Sequence, residues 1–254
     1  MVSLGRWTRA QEYERGYWAS QAKQIAAGAT TQLDWYRWRA DQLIAWLRRL
    51  GLAELTEGSA KVIEVGSGPV GLAGQFLAAE RLLIDPLADY YATNEVLTAL
   101  RNPDAVYRAG SGEKLPADSG RYDLAIIENC IDHVQDMDGV MRELARVLRP
   151  GAWLYITVNC RSPWGYYVHR ILSLLRLDPG HPHTFTPARL ERLVRRFGFR
   201  TLDQQFGSYQ QAREKDRASD SARARLKARL GISEYRAALV ACLETSSGSK
   251  PKTS

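Results

Sequence analysis

From residue 61 to residue 243, short runs rich in branched and aromatic residues alternate with runs of helical periodicity. No other feature constrains the fold as much, because strand, helix and strand in succession make βαβ units and a mainly parallel sheet with helices on both faces. The predicted strands are Lys61–Val65, Arg81–Asp85, Ala105–Ala109, Tyr122–Glu128, Ala152–Val158, Phe199–Phe206 and Tyr235–Leu243. Tyr122–Glu128 is nearly continuous in apolar residues, as a strand buried on both faces requires. Helices are predicted over about Val70–Glu80 and Ala88–Leu100, and around Val140, Met141, Leu144, Val147 and Leu148, with a break at Pro150-Gly151. A further helix follows Thr186-Pro187, a capping residue and a first-turn proline; it carries Leu190, Leu193, Val194 and Phe197 on one face and stops at Gly198.

Residues 7 to 50 read as two helical pieces. The second places Leu33, Tyr36, Ala40, Leu43, Leu47 and Leu50 on one face and ends at Gly51. The expected organisation is therefore an N-terminal helical cap over residues 1–58, one α/β domain over 59–244, and a Ser/Gly/Lys-rich disordered tail over 245–254.

A chain of 254 residues, 45% hydrophobic and 25% charged, accommodates one such domain with its own core. No stretch reaches the roughly 20 apolar residues of a membrane span, and charged residues stand where a secretory signal would be apolar, so a cytoplasmic protein with no membrane partner is expected. Cys130, Cys160 and Cys242 are far apart, which argues against a disulfide framework or a cysteine zinc site, and no metal is expected. The net charge of +7 is spread along the chain; its densest run, Arg213 to Arg229, is interrupted by Glu214, Asp216 and Asp220 and reads as a solvated helix rather than a nucleic-acid surface. Monomer and homodimer both stay open.

The segment Val62-Ile63-Glu64-Val65-Gly66-Ser67-Gly68-Pro69-Val70-Gly71 is a strand entering a glycine-rich turn, with a helix expected after it. Glycines let the backbone approach a ligand closely, and a helix N-terminus there would offer free N–H groups. Gly66-Ser-Gly68-Pro-Val-Gly71 matches the G-x-G-x-x-G dinucleotide pattern, and Asp85, 19 residues after Gly66, suits a carboxylate that accepts from ribose hydroxyls. Both features fit more than one nucleotide-like cofactor. The bland alternative is a tight turn and a capping aspartate.

Taken with what lies downstream, the chain resembles the class I S-adenosylmethionine-dependent methyltransferases, with a domain like methyltransferase type 11. The detailed resemblance covers residues 60 to 160 and extends more loosely to 243. It implies a Rossmann-like sheet in which Glu64, Gly66, Ser67, Gly68, Asp85, Pro86 and Leu87 hold S-adenosylmethionine, released afterwards as S-adenosylhomocysteine. The segment Gly110-Ser111-Gly112-Glu113-Lys114-Leu115-Pro116 corresponds to the family's adenine-binding stretch, with Ser111 where aspartate is usual. That correspondence implies cofactor contacts for Ser111, Gly112 and Glu113, and the exit of the fourth strand implies them for Glu128 and Asn129. Asp132-His133-Val134 and Arg146-Val147-Leu148-Arg149-Pro150-Gly151-Ala152 resemble further family landmarks.

Methyl transfer is an in-line displacement, so nucleophile, methyl carbon and sulfur must be aligned in a site shielded from water. An oxygen nucleophile needs a base. His181 and His183, in a proline-rich loop, are the candidates, against a purely local role; His133 and His169 read as structural. Among the aromatics of the N-terminal helices, Tyr13, Tyr17 and Trp18 are candidates to face the acceptor. Pro163 to Leu177 reads as a second covering element, with too few arginines (Arg161, Arg170, Arg176) for a membrane-surface face. The resemblance implies methylation of an oxygen or nitrogen of a small-molecule acceptor, a metabolite or natural-product intermediate. The rivals are an NAD(P)-dependent oxidoreductase and a non-catalytic RNA-binding protein on the same fold.

Overall fold

The computed structural model describes residues 4–28, 34–174 and 182–245. Leu33, His181, residues 175–177 of the second covering element and residues 246–254 of the expected tail lie outside them. The strands are β1 (Glu57–Val65), β2 (Leu77–Asp85), β3 (Val106–Ala109), β4 (Tyr122–Glu128), β5 (Leu148–Arg161), β6 (Phe199–Phe206) and β7 (Glu234–Leu243). They form one doubly wound sheet in the order β3-β2-β1-β4-β5-β7-β6. β7 alone runs against its neighbours. The chain winds outward from β1 to β3 and then returns to pair β4 with β1, so the strand order reverses between them. Such a reversal opens a crevice at the carboxyl ends of the strands, the usual ligand site of open α/β sheets.

The helices are α1 (Leu4–Ala26), α2 (Asp34–Arg49), α3 (Ala88–Ala92), α4 (Glu95–Thr98), α5 (Met137–Val147), α6 (Pro163–Leu174), α7 (Pro187–Arg196), α8 (Tyr209–Ala218) and α9 (Ala222–Leu230). Because successive strand residues point to opposite faces, β4 sends Leu124 and Ile126 into one core and Ala125 and Ile127 into the other. The first core is closed by Trp18 and Ala22 of α1 and by Tyr36, Ala40, Leu43, Trp46 and Leu47 of α2. The second is closed by Val140, Met141, Leu144 and Val147 of α5 and by Leu190, Leu193 and Val194 of α7. Leu43 and Leu47 are fully buried, each contributing roughly 1.5–3 kcal/mol. Burial of this stripe, more than helix propensity, holds α2 in place.

The predicted helix over Val70–Glu80 is absent. Only a 3₁₀ turn, Ala73–Gln75, interrupts the passage from β1 to β2, and Leu77–Glu80 extends β2 against Glu57–Lys61. Gly71 has φ +72°, and Glu64 takes the N–H groups of Leu72 and Ala73; Val70, Leu72, Ala73 and Phe76 then fill the core beneath α2. The predicted helix over Ala88–Leu100 is split at Asn94, whose extended backbone and side-chain acceptor for Leu97 N–H start a new turn. β1 and β5 begin earlier than expected, at Glu57 and Leu148. The Arg213–Arg229 run becomes the exposed pair α8 and α9, joined where Arg213 donates to Ala228 O. No helix among the described residues is long and apolar enough to cross a membrane.

Candidate functional site

The turn after β1 is pinned to β2: the N–H groups of Gly66 and Ser67 both donate to Ile84 O, at 2.8 and 3.2 Å. Gly66 and Gly68 have φ of +71° and +60°. A Cβ on Gly66 would lie 2.1 Å from Cys130 Sγ, and one on Gly68 would lie 2.3 Å from the Tyr36 hydroxyl. Both positions therefore demand glycine, for conformation and for space.

Asp85, the last residue of β2, braces this turn. Its Oδ2 accepts from Gly68 N–H at 2.9 Å and its Oδ1 from Leu87 N–H at 2.8 Å. Burial pushes its pKa up to about 6, with the two N–H donors pulling the other way. Glu64 is buried more deeply, accepting from Leu72 and Ala73 N–H at 3.0 and 2.7 Å, and burial pushes its pKa up to about 8. Glu113 accepts from the N–H groups of Gln135 and Asp136 and from the Ser111 hydroxyl. Glu128, at the end of β4, accepts from Tyr155 Oη and Arg236 at 3.0 and 3.2 Å and lies 3.8 Å from Arg39. Asn129 follows it with φ +51°, the one positive value for a non-glycine among the described residues. Asparagine tolerates that conformation better than most residues.

These groups border one cavity of about 420 Å³ at the carboxyl ends of β1, β2 and β4, within the usual range for small-molecule sites. Of the residues marked in the sequence, Glu64, Gly66, Ser67, Gly68, Asp85, Pro86, Leu87, Gly112, Glu113, Glu128 and Asn129 line it, as do Tyr13, Tyr17 and Trp18. Ser111 does not; its hydroxyl turns to Glu113. Nor does His183, which lies in a neighbouring groove with Nε2 2.9 Å from Val134 O, its pKa lowered by burial. His169 is buried against Thr184 Oγ1.

His133, read from the sequence as structural, lines the cavity instead. Its ring lies 3.9 Å from Glu14 Oε1 and 3.8 Å from Asp132 Oδ1. Trp7, Gln11, Glu14, Trp35, Tyr36, Tyr91 and Cys130 also border the space without having been singled out as site residues. A signal for some of them was present: Trp7, Gln11, Glu14 and Trp18 recur at steps of four, three and four, one face of a helix. No group of three or more His, Cys, Asp and Glu among the described residues is placed to hold a metal ion.

Residues 35–204 match a family profile described as a methyltransferase domain. A ubiquinone biosynthesis O-methyltransferase of Bordetella parapertussis is 30% identical over 164 residues, 59% of this chain and 67% of the relative. The matched part of a Bordetella avium protein of the same name spans only 41% of that protein. Among solved structures, a geranyl diphosphate C-methyltransferase from Streptomyces coelicolor, in complex with S-adenosyl-L-homocysteine, superposes with TM-score 0.55 at 14% identity, covering 80% of this chain and 83% of that one. A Haemonchus contortus phosphoethanolamine N-methyltransferase, also with S-adenosylhomocysteine, gives 0.52 at 15%, covering 79% and 53%. The three names specify three different acceptor atoms, so likeness to them does not choose one. The chain belongs to the methyltransferase-domain family, and it shares the fold of two methyltransferases solved with S-adenosylhomocysteine.

Proposed function

We propose that this chain transfers a methyl group from S-adenosylmethionine to an oxygen or nitrogen of a small-molecule acceptor inside the cavity at the ends of β1, β2 and β4. The observation that carries the reading is continuity: a single space runs from the glycine turn and Asp85 to the aromatic underside of α1. The residues proposed to hold the cofactor and those proposed to face the acceptor thus border the same space.

The residues fit the cofactor. A Cβ at Gly66 or Gly68 would collide with Cys130 or Tyr36, so the turn brings bare backbone to the cavity wall. Each Asp85 oxygen has one N–H donor and keeps capacity to accept from a ribose hydroxyl. Gly112 and Glu113 would flank the adenine, and Asn129 the amino-acid end. When bound, the cofactor supplies an electrophilic methyl group on a sulfonium. The protein's part is to bind, align and exclude water, and the half-buried and buried rings of Trp7 and Trp18 serve the last of these.

A dinucleotide fits poorly, for a reason visible in the turn. The N–H groups of Leu72 and Ala73, which would open the helix facing a pyrophosphate, are occupied by the Glu64 carboxyl. No lysine or arginine among the described residues lines the cavity to offset phosphate charge. None of Arg213 to Arg229 borders it, which leaves an RNA reading without a site there.

Calorimetric titration with S-adenosylhomocysteine and, separately, with NAD and NADP tests the proposal. One-to-one binding of the adenosyl compound alone is expected; binding of only a nicotinamide cofactor overturns it.

A further inference from the structure

The cavity is acidic and aromatic in a basic protein. The chain carries 35 lysines and arginines against 28 acidic residues, yet among the described residues no lysine or arginine lines the cavity, while Glu14, Glu64, Asp85, Glu113 and Glu128 do. Four of these five carboxyls are held by the protein itself. Glu64, Asp85 and Glu113 each accept from two backbone N–H groups, and Glu128 is met by Arg236, Tyr155 and Arg39.

Glu14 is different. It stands on the cavity-facing stripe of α1, one turn from both Gln11 and Trp18, and its carboxyl lies 3.9 Å from the His133 ring. The Glu14 side chain keeps 31% of its surface exposed, so its carboxylate is open to a cation that enters beside it. Arg15, next to it in sequence, lies over the Tyr90 ring, and Arg39 of α2 lies over Trp38. Around Glu14 the cavity wall is made of rings, with Tyr17 edge-on to Trp18 at 5.3 Å and Trp18 stacked on Tyr36 at 6.3 Å. Aromatic faces beside a carboxylate attract organic cations by cation–π and ionic attraction together.

We infer that the acceptor is an amine that enters as its ammonium ion, paired with Glu14 under the aromatic face of α1, and that His133 receives the proton it must lose. The inference rests on the methyltransferase reading above and narrows it to nitrogen. An ammonium has no lone pair to attack with. In the step assigned to His133, an N–H bond breaks, the proton passes to the imidazole, and the electron pair stays on the amine nitrogen as the nucleophile; the imidazolium then gives its proton to water. Glu14 and Asp132 flank the ring, at 3.9 and 3.8 Å. An anionic acceptor would meet carboxyls on several sides.

The test uses three probes of one shape and different charge, benzylamine, benzyl alcohol and benzoate, titrated by NMR into the full chain saturated with S-adenosylhomocysteine. Benzylamine is expected to bind about tenfold more tightly than benzyl alcohol, the equivalent of about 1.4 kcal/mol, with benzoate weakest. Glu14→Gln should remove that preference and leave S-adenosylhomocysteine affinity unchanged. His133→Gln should keep benzylamine binding while losing methyl transfer to it. Equal or tighter binding of benzyl alcohol, no saturable binding of benzylamine, or a preference that survives Glu14→Gln overturns the inference. So does a Glu14→Gln variant that loses S-adenosylhomocysteine instead, because the carboxylate would then serve the cofactor. Failure of the wild-type chain to bind S-adenosylhomocysteine at all defeats the underlying reading, a separate result obtained before any probe is added.

Discussion

The Oε2 atom of Glu64 accepts the N–H of Ala73 at 2.7 Å, while Oε1 takes that of Leu72. One carboxyl at the end of β1 thereby secures the segment leading to β2 from within the core, in place of a helix. Its burial has a consequence for stability. Because burial raises the folded-state pKa of Glu64 from 4.5 to about 8, the fold binds its proton more tightly than the unfolded chain does. The associated stabilisation is fully present below pH 4.5 and is lost as pH rises through 8.

Melting of the ligand-free protein across pH 5 to 9 should therefore show a decline that Glu64→Gln flattens. At pH 5 the variant should be less stable by roughly 1–3 kcal/mol, because an amide NH₂ then faces one of the two backbone N–H groups, and that difference should shrink as pH rises. An unchanged pH slope in the variant contradicts the assignment.

Asp85 has the same sign with a lower window. Its folded pKa of about 6 lies above the ordinary 3.8, so its protonated form favours the ligand-free fold and that contribution is lost as pH rises through 6. For a ligand whose hydroxyls donate to the carboxylate, the dependence is opposite, because the ionised form is the stronger acceptor. Calorimetry with S-adenosylhomocysteine should show affinity falling about tenfold as pH drops well below 6. Constant affinity from pH 7 to 5 argues that Asp85 makes no such contact.

Gly66 and Gly120 both have positive φ, but a Cβ at Gly120 meets nothing within 4 Å whereas one at Gly66 meets Cys130 Sγ at 2.1 Å. Gly120→Ala should cost about 1–2 kcal/mol in urea unfolding, from backbone conformation alone. Gly66→Ala should cost a further 1–3 kcal/mol, roughly, for overpacking and weaken S-adenosylhomocysteine binding. Equal costs at the two sites count against the close approach.

His183 tests the base expected from sequence against the one inferred here. Burial lowers its pKa, so its contribution to stability is present above the ordinary value of 6.5 and lost as pH falls through the lower folded value. His183→Gln should lose that acid-side dependence and cost about 1 kcal/mol through the contact with Val134 O. Methyl-transfer rates should change little. A large loss of turnover with cofactor affinity intact would return His183 to the chemistry.

Much of the sheet could be read from local pattern. Tyr122–Glu128 and Phe199–Phe206 match β4 and β6 residue for residue, because their periodicity and flanking turn signals are local properties. The expected Val70–Glu80 helix failed because its helix-compatible composition competes with a buried carboxyl and a left-handed glycine, neither of which propensity registers. The glycine turn, Asp85 and Asn129 were visible as motif because they stand at strand ends, where the topology of an α/β sheet puts ligands.

The amino-acid sequence by itself determined the alternating architecture, the strand that ends in Glu64 and the turn that only glycine can make, all consequences of residue-by-residue conformational preference and hydrophobic period. The tertiary structure alone decided that α1 turns Glu14 and its neighbouring rings into the cavity with His133, and that His183 bonds away from it. Residues 14 and 133 are remote along the chain, and their meeting is set by how α1 packs over the ends of the strands, a product of the shared core rather than of either segment.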